Sequence, residues 1–336
     1  MKKTILLINL GSPASCRPHA IKRFLKEFLS DPRVIDLPFW IRWPLVNLFI
    51  VPFRYQWTTE AYKKIWTDDG PPLLTISKAQ SLLLSNYLGD DFQVDMAMRY
   101  GGGPTLHHIL KKTKESEEVI IVPLFPQYSS ATTGSVIQKV MDFFAKQTTV
   151  PKLRIIQEFY QHPSFIKAYS ALLGEHLSGT NIDKLIFSYH GLPERHIIKT
   201  CEAACDRKNI CPNIHHKNHA CYRAQCMATS KYLAKSLHLT SEQYLVSFQS
   251  RLGKIPWTGP YTDLLLPELI KKGVRNIAIC SPSFVSDCLE TLEEIDLRLR
   301  SQWLKLGGKE FIFIPSLNTH PLWIKALADI AGANSE

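Results

Sequence analysis

Nowhere in the 336 residues does an apolar run approach the ~20 uninterrupted residues that a bilayer-spanning helix needs, so no spanning helix is expected. Also missing is any run of basic residues or RNA-binding signature, which argues against nucleic acid as a partner. Acidic residues are the scarcer charge, 30 against 40 Lys and Arg, for a net +10. That excess favours an anionic partner such as a lipid surface or a polycarboxylate ligand. The start, Met1-Lys2-Lys3 followed by Thr4–Leu10, imitates a signal peptide, and Cys16 imitates a lipidated cysteine. The apolar run is too short for either and Pro13 sits three residues before Cys16, so this stretch reads as a first strand. The expectation is a cytoplasmic protein, peripheral at the inner face of a membrane at most. With 45% hydrophobic and 21% charged residues, the chain is ordinary globular material of a length that suits two domains.

What is present is a rhythm of strands and helices that repeats once. Strand-like runs fall at 5–9, 92–98, 119–124 and 153–157, then again at 185–189, 243–248, 277–280 and 311–315. Helical patterns separate them at 20–29, 74–87, 106–114 and 136–145, and at 222–237, 261–271 and 287–304, with a last helix at 321–330. Alternation of this kind implies an α/β fold with parallel sheets and right-handed crossovers, here two four-stranded halves with a candidate site in the cleft between them. Local likeness supports the repeat: Asn9-Leu10-Gly11-Ser12-Pro13 resembles Tyr189-His190-Gly191-Leu192-Pro193. The expected division is 1–175 and 176–318, with 319–336 a terminal helix that packs back on the first half. One segment, 37–53, breaks the rhythm. It is densely apolar and aromatic, carries three prolines, and reads either as a buried connector or as an exposed lip against a flat apolar ligand or a bilayer surface.

Two stretches carry candidate chemistry. His190 follows the apolar run Lys184–Phe187 at a strand's carboxyl end, where ligands bind in open parallel sheets, and a neutral imidazole there suits general-base work near pH 7. Asp287, Glu290 and Glu294 lie three and four residues apart, on one helix face that begins just past another strand. Read functionally, the stripe points into the cleft; alternatively, Asp287 and Glu290 form a helix-capping pair favoured by the helix dipole.

Six stretches together resemble ferrochelatase: Leu7–Pro13, Met98–Gly101, Pro123–Ser135, Phe187–Pro193, Phe248–Arg251 with Pro256–Pro260, and Phe284–Leu292. The likeness runs nearly end to end. It implies a lyase, a metal chelatase with two flavodoxin-like (Rossmann-like) domains, that inserts Fe²⁺ into a porphyrin with loss of two protons, the last step of haem biosynthesis. It further implies His190 and Glu290 as the groups meeting the substrate iron, with Asp287 and Glu294 behind them, and porphyrin contacts at Leu10, Arg99, Tyr100, Tyr128 and Trp257. Leu10 stands where members preferring coproporphyrin carry tyrosine, which favours protoporphyrin IX. Implied partners are protoporphyrin IX and Fe²⁺, with an anionic membrane surface and a second copy of the chain as further candidates. The competing readings are a cobalt or nickel tetrapyrrole chelatase and a two-lobed binding protein without chemistry.

The segment 197–226 departs from the common family pattern. It holds Cys201, Cys205, Cys211, Cys221 and Cys226, five of the eight cysteines within 26 residues, with His215, His216 and His219 among them. Clustered thiols in a cytosolic protein argue for metal rather than disulfides. A structural zinc ion or unliganded thiols would satisfy the pattern, and the family resemblance adds a [2Fe–2S] cluster held by Cys201, Cys205, Cys211 and Cys221, with Cys226 as alternate.

Overall fold

Ile5, Leu6, Leu7 and Ile8 alternate sides along an extended chain, so a strand containing them is apolar on both faces and must be covered on both. In the computed structural model, which describes residues 3–201, 211, 213–251, 253 and 255–333, none of the four is more than 1% exposed. They occupy the middle of β1 (Lys3–Ser12), flanked in a parallel sheet of order β2-β1-β3-β4 by β2 (Phe92–Gly101), β3 (Glu118–Pro123) and β4 (Lys152–Ile155). The helices of this half are α1 (Pro18–Leu29), α2 (Phe39–Pro44), α3 (Val51–Ile65), α4 (Pro72–Leu88), α5 (Leu106–Lys112) and α6 (Ser135–Phe144). One core packs α5 and α6 on the sheet through Ile109, Leu110, Val136, Val140 and Phe144.

The second half repeats the plan. α7 (Pro163–Leu177) leads into β5 (Lys184–His190), followed by α8 (Glu194–Thr200), α9 (Tyr222–Ser236), β6 (Tyr244–Gln249), α10 (Thr262–Lys271), β7 (Asn276–Cys280), α11 (Arg300–Lys305), β8 (Glu310–Phe313) and α12 (Pro321–Ile330). Its parallel sheet has the order β6-β5-β7-β8, the same as the first with β5 in the place of β1. Compact units form from Met1–Phe125, Ser129–Glu158 and Leu327–Glu336, and from Pro126–Tyr128 with Phe159–Ala326.

The equivalence extends to the strand ends. Gly11 lies opposite Tyr100 in the β1–β2 register with φ +114°, and a Cβ there would sit 1.9 Å from the Tyr100 carbonyl oxygen, so only glycine fits. In the second half Gly191 donates its N–H to the Gln249 carbonyl at 2.8 Å. Three stretches of π-helix, Leu45–Ile50, Ser130–Gly134 and Glu290–Leu299, interrupt the α-helices. The prolines of 37–53 end up at helix edges: Pro38 is the residue before α2, Pro44 its last residue, and Pro52 lies in the first turn of α3, where a missing N–H costs nothing. The segment is therefore helical almost throughout, which its three prolines do not suggest.

Behind the β2 end lies a buried ionic network. Asp31, just past α1, takes Arg99 Nη2 at 2.6 Å, the Tyr100 hydroxyl at 2.7 Å and the Ser135 hydroxyl at 2.7 Å on one carboxylate oxygen, and the Arg33 N–H at 2.8 Å on the other. Arg99 Nε donates to Ser135 Oγ at 2.8 Å, and the guanidinium lies 4.2 Å over the Tyr100 ring. Side-chain exposures of 8% for Arg99 and 7% for Asp31 place the pair out of water. Burial pushes the Asp31 carboxyl upward, but the Arg33, Ser135 and Tyr100 hydrogen bonds and the Arg99 charge outweigh it and leave its pKa below the ordinary carboxylate value.

A carboxylate with a depressed folded-state pKa stabilises above its unfolded value and loses that contribution as pH falls through the folded one. Asp31→Asn, by leaving Arg99 buried without its counter-charge, is expected to cost on the order of 3–5 kcal/mol at pH 7. The difference from the parent chain should shrink only below about pH 4, the ordinary carboxylate range. Urea titrations at pH 7 and pH 3.5 check this; a cost independent of pH, or absent at pH 7, would refute the charge-pair account.

Candidate active site

β5 is buried from Leu185 to Tyr189 and delivers His190, half-buried, at its last position. The ring Nδ1 lies 2.6 Å from the Gly191 carbonyl oxygen. A carbonyl only accepts, so Nδ1 carries the hydrogen, and the lone pair of the neutral ring is on Nε2. Trp257 and Phe284 flank the imidazole at centroid distances of 6.5 and 6.4 Å. Trp257 is fixed against the same loop: residue 257 bridges Pro193, and Thr258 N–H donates to the Leu192 carbonyl at 2.8 Å. The Gly259–Pro260 peptide is cis, and the Pro260 carbonyl accepts from Phe248 N–H on β6 at 2.8 Å.

The acidic stripe divides. Asp287 is 5% exposed and its carboxylate is fully engaged, accepting from Thr291 Oγ1 at 2.9 Å, Ser316 N–H at 3.0 Å and Asn318 Nδ2 at 2.7 Å. It ties the start of the helix to the 316–318 segment. Glu290 and Glu294 lie in the π-helix Glu290–Leu299, whose wider i→i+5 turns keep residues four apart on one side. The Glu290 carbonyl accepts from Gln249 Nε2 at 3.1 Å, which joins the stripe to the end of β6.

Glu294 takes the Ser250 N–H at 3.1 Å on one oxygen and the Ser250 hydroxyl on the other, with Arg298 Nη2 at 3.6 Å. Burial raises its pKa; Ser250, Arg298 and His190 oppose the rise, and Glu290 adds to it, leaving the carboxyl above its ordinary value. His190, Glu290 and Glu294 therefore stand within electrostatic reach of one another. An imidazole nitrogen beside a carboxyl of raised pKa is a pairing that acid–base chemistry uses.

Ser250 has φ +66°, a left-handed conformation that serine adopts only under constraint. Its role has no signature in the chain, because it depends on β6 ending beside the π-helix. Gln249 and Glu293 are likewise absent from the residues singled out by spacing; Glu293 is 3% exposed and meets Arg298 Nη2 at 3.4 Å.

Other candidate residues sit as follows. Leu10 is half-buried one position before Gly11, Arg99 and Tyr100 belong to the Asp31 network, and Tyr128 is half-buried with its N–H donated to Gln225 Oε1 at 2.6 Å. Of the thiols, Cys201 is half-buried after α8, Cys211, Cys221 and Cys226 are at most 8% exposed, and Cys205 lies outside the described residues. Burial pushes the Cys226 thiol well up, and the nearness of Cys221 and Cys211 adds to the rise, so these three are neighbours. Among the described residues, however, no three His, Cys, Asp or Glu side chains converge as a metal-binding group.

This site sits on a chain that the ferrochelatase family model matches from residue 2 to 335. A ferrochelatase of Legionella pneumophila (strain Paris) is 47% identical over 331 residues, covering 98% of each chain. One from Coxiella burnetii (strain RSA 493 / Nine Mile phase I) is 46% identical over 331 residues, covering 97% of this chain and 92% of the relative. Among solved structures, SirB from Bacillus subtilis with Fe³⁺ aligns with a TM-score of 0.53 at 8% identity, over 98% of this chain and 96% of that one, which is a likeness of fold. With the strand-end histidine, the acidic π-helix and near end-to-end identity in agreement, the chain belongs to the ferrochelatase family.

Proposed function

We propose that the protein is a protoporphyrin ferrochelatase, inserting Fe²⁺ into protoporphyrin IX to make protohaem and releasing two protons. The observation that carries this reading is His190, whose Nδ1 is committed to the Gly191 carbonyl so that Nε2 faces its chemistry as an acceptor. As the metal enters, each of two pyrrole N–H bonds breaks, nitrogen keeps the electron pair, and the proton must leave. Nε2 of His190 takes a proton directly. Glu294, with its raised carboxyl, is placed to take a proton onward, and Glu290 offers carboxylate oxygen to Fe²⁺ before insertion. The porphyrin contacts are assigned to Leu10, Arg99, Tyr100, Tyr128 and Trp257. Asp287 supports the start of the helix that carries both glutamates.

The surface of 39–57 supports peripheral contact with an anionic membrane from the cytoplasm. Phe53 is 81% exposed, Trp40 75% and Phe39 66%, with Trp43 and Phe49 also in water. An aromatic surface of this kind on a chain of net charge +10 suits the headgroup region of a bilayer, and among the described residues no helix is long and apolar enough to cross one.

The cysteine segment is assigned to a [2Fe–2S] cluster held by Cys201, Cys205, Cys211 and Cys221, with Cys226 as alternate and zinc as the competing occupant. Support comes from the donor chemistry and from three buried neighbouring thiols. The described residues alone do not complete a ligand set, and no step of insertion is routed through the segment. Bound there, the group would supply cross-linking of an insertion rather than proton chemistry.

Four outcomes are expected. His190→Ala should retain fold and porphyrin binding while losing about 10²–10⁴-fold in turnover, read as haem formed anaerobically from Fe²⁺ and protoporphyrin. In the same assay Glu290→Gln should collapse activity with melting temperature nearly unchanged, whereas a capping role predicts a stability loss under ~1 kcal/mol and normal turnover. Near-normal activity in both would sink the assignment. Trp40→Ser combined with Trp43→Ser should weaken sedimentation with anionic vesicles or porphyrin affinity; no change in either would remove the membrane and porphyrin roles from that surface. Protein purified without oxygen should be reddish and hold about two irons and two acid-labile sulfides per chain. A colourless protein with one zinc would replace the cluster while leaving the chelatase reading intact.

A further inference from the structure

The β5 ladder is lopsided at its end. On one side pairing with β6 continues to His190 opposite Gln249; on the other, pairing with β7 stops at Phe187 opposite Cys280. The peptide groups flanking the His190 Cα thus need partners that β7 does not supply, since a buried backbone group left unpaired is costly. Two side chains take over. Ser283 Oγ accepts from His190 N–H at 3.3 Å, and the Tyr222 hydroxyl donates to the His190 carbonyl at 2.8 Å.

Tyr222 is the first residue of α9 and is 6% exposed. Its phenol neighbours both the Ser283 hydroxyl and the Cys226 thiol, one turn further along α9. The phenol proton goes to the carbonyl of His190, so one hydroxyl ties the first turn of α9 to the peptide that aims the imidazole.

We propose that Tyr222 is a positioning residue for His190, replacing the missing β7 partner at the strand end and tying that peptide to the start of α9. The inference rests on the ferrochelatase reading of His190. It assigns α9 a mechanical part in the reaction: what fixes its first turn also fixes the backbone on which Nε2 is carried. Misplacement by about 1 Å costs on the order of 10²-fold in rate when the reacting group itself is well formed. The effect belongs to kcat, because the Tyr222 hydroxyl bonds to the His190 carbonyl and not to a group assigned to porphyrin contact.

Tyr222→Phe removes one oxygen and keeps the ring that packs in the core. In the full-length chain, kcat for haem formation should fall tenfold to a hundredfold, with KM for protoporphyrin within twofold and the visible spectrum and melting temperature unchanged. A kcat within twofold of the parent, or a loss carried by KM alone, overturns the proposal. So does a loss that follows melting temperature and vanishes when the assay is cooled. His190→Ala run alongside separates the two levels. If it keeps normal turnover the ferrochelatase reading fails, and if it is inactive while Tyr222→Phe is normal only the positioning role fails.

Discussion

One hydrogen bond, from His190 Nδ1 to the carbonyl of the next residue, decides what the site can do. It selects the tautomer, and so decides which ring nitrogen meets a substrate. The bond is available because Gly191 is itself locked to β6, its N–H on the Gln249 carbonyl, whose oxygen would lie 3.0 Å from a Cβ at this position. The imidazole is therefore aimed by the sheet rather than by the loop. Sheet geometry is stiff, and a ring aimed by it needs little reorganisation on meeting a partner.

Around that nitrogen the second unit arranges acidic residues with different hydrogen-bond partners. Asp287 is immobilised by three donors and serves the backbone; Glu294 is held by Ser250 and Arg298 yet keeps a raised carboxyl; Glu290 is engaged through its carbonyl by Gln249. Three acids spaced three and four apart in sequence thus have different surroundings. The π-helical winding separates them, since it turns Glu290 and Glu294 together while Asp287, just before it, belongs to the entry loop.

The eight strands were legible because β1, β3, β5 and β7 are apolar on both faces, a pattern that exposed or half-buried segments do not produce. His190 and Glu290 were legible through the ends of those strands. The helix Pro163–Leu177 carried a start signal in His162-Pro163, with His162 Nδ1 accepting from Ser164 N–H, but its apolar face is broad and gives no clean stripe against the strand rhythm. The 37–53 segment misleads in the other direction, since prolines at helix edges look like breaks in a string of letters. Ser250 and Tyr222 were out of reach for a different reason. Each acts on a residue 44 or 32 positions away in the chain, through register and helix packing that no local pattern encodes.

Leu10 and His190 stand at corresponding points, each the residue before a glycine at the end of the central strand of a four-stranded sheet with the same order. A half-fold used twice offers the same address twice. Here one address carries a titratable ring and the other a hydrocarbon, so two copies of one backbone have diverged in chemistry at the same point.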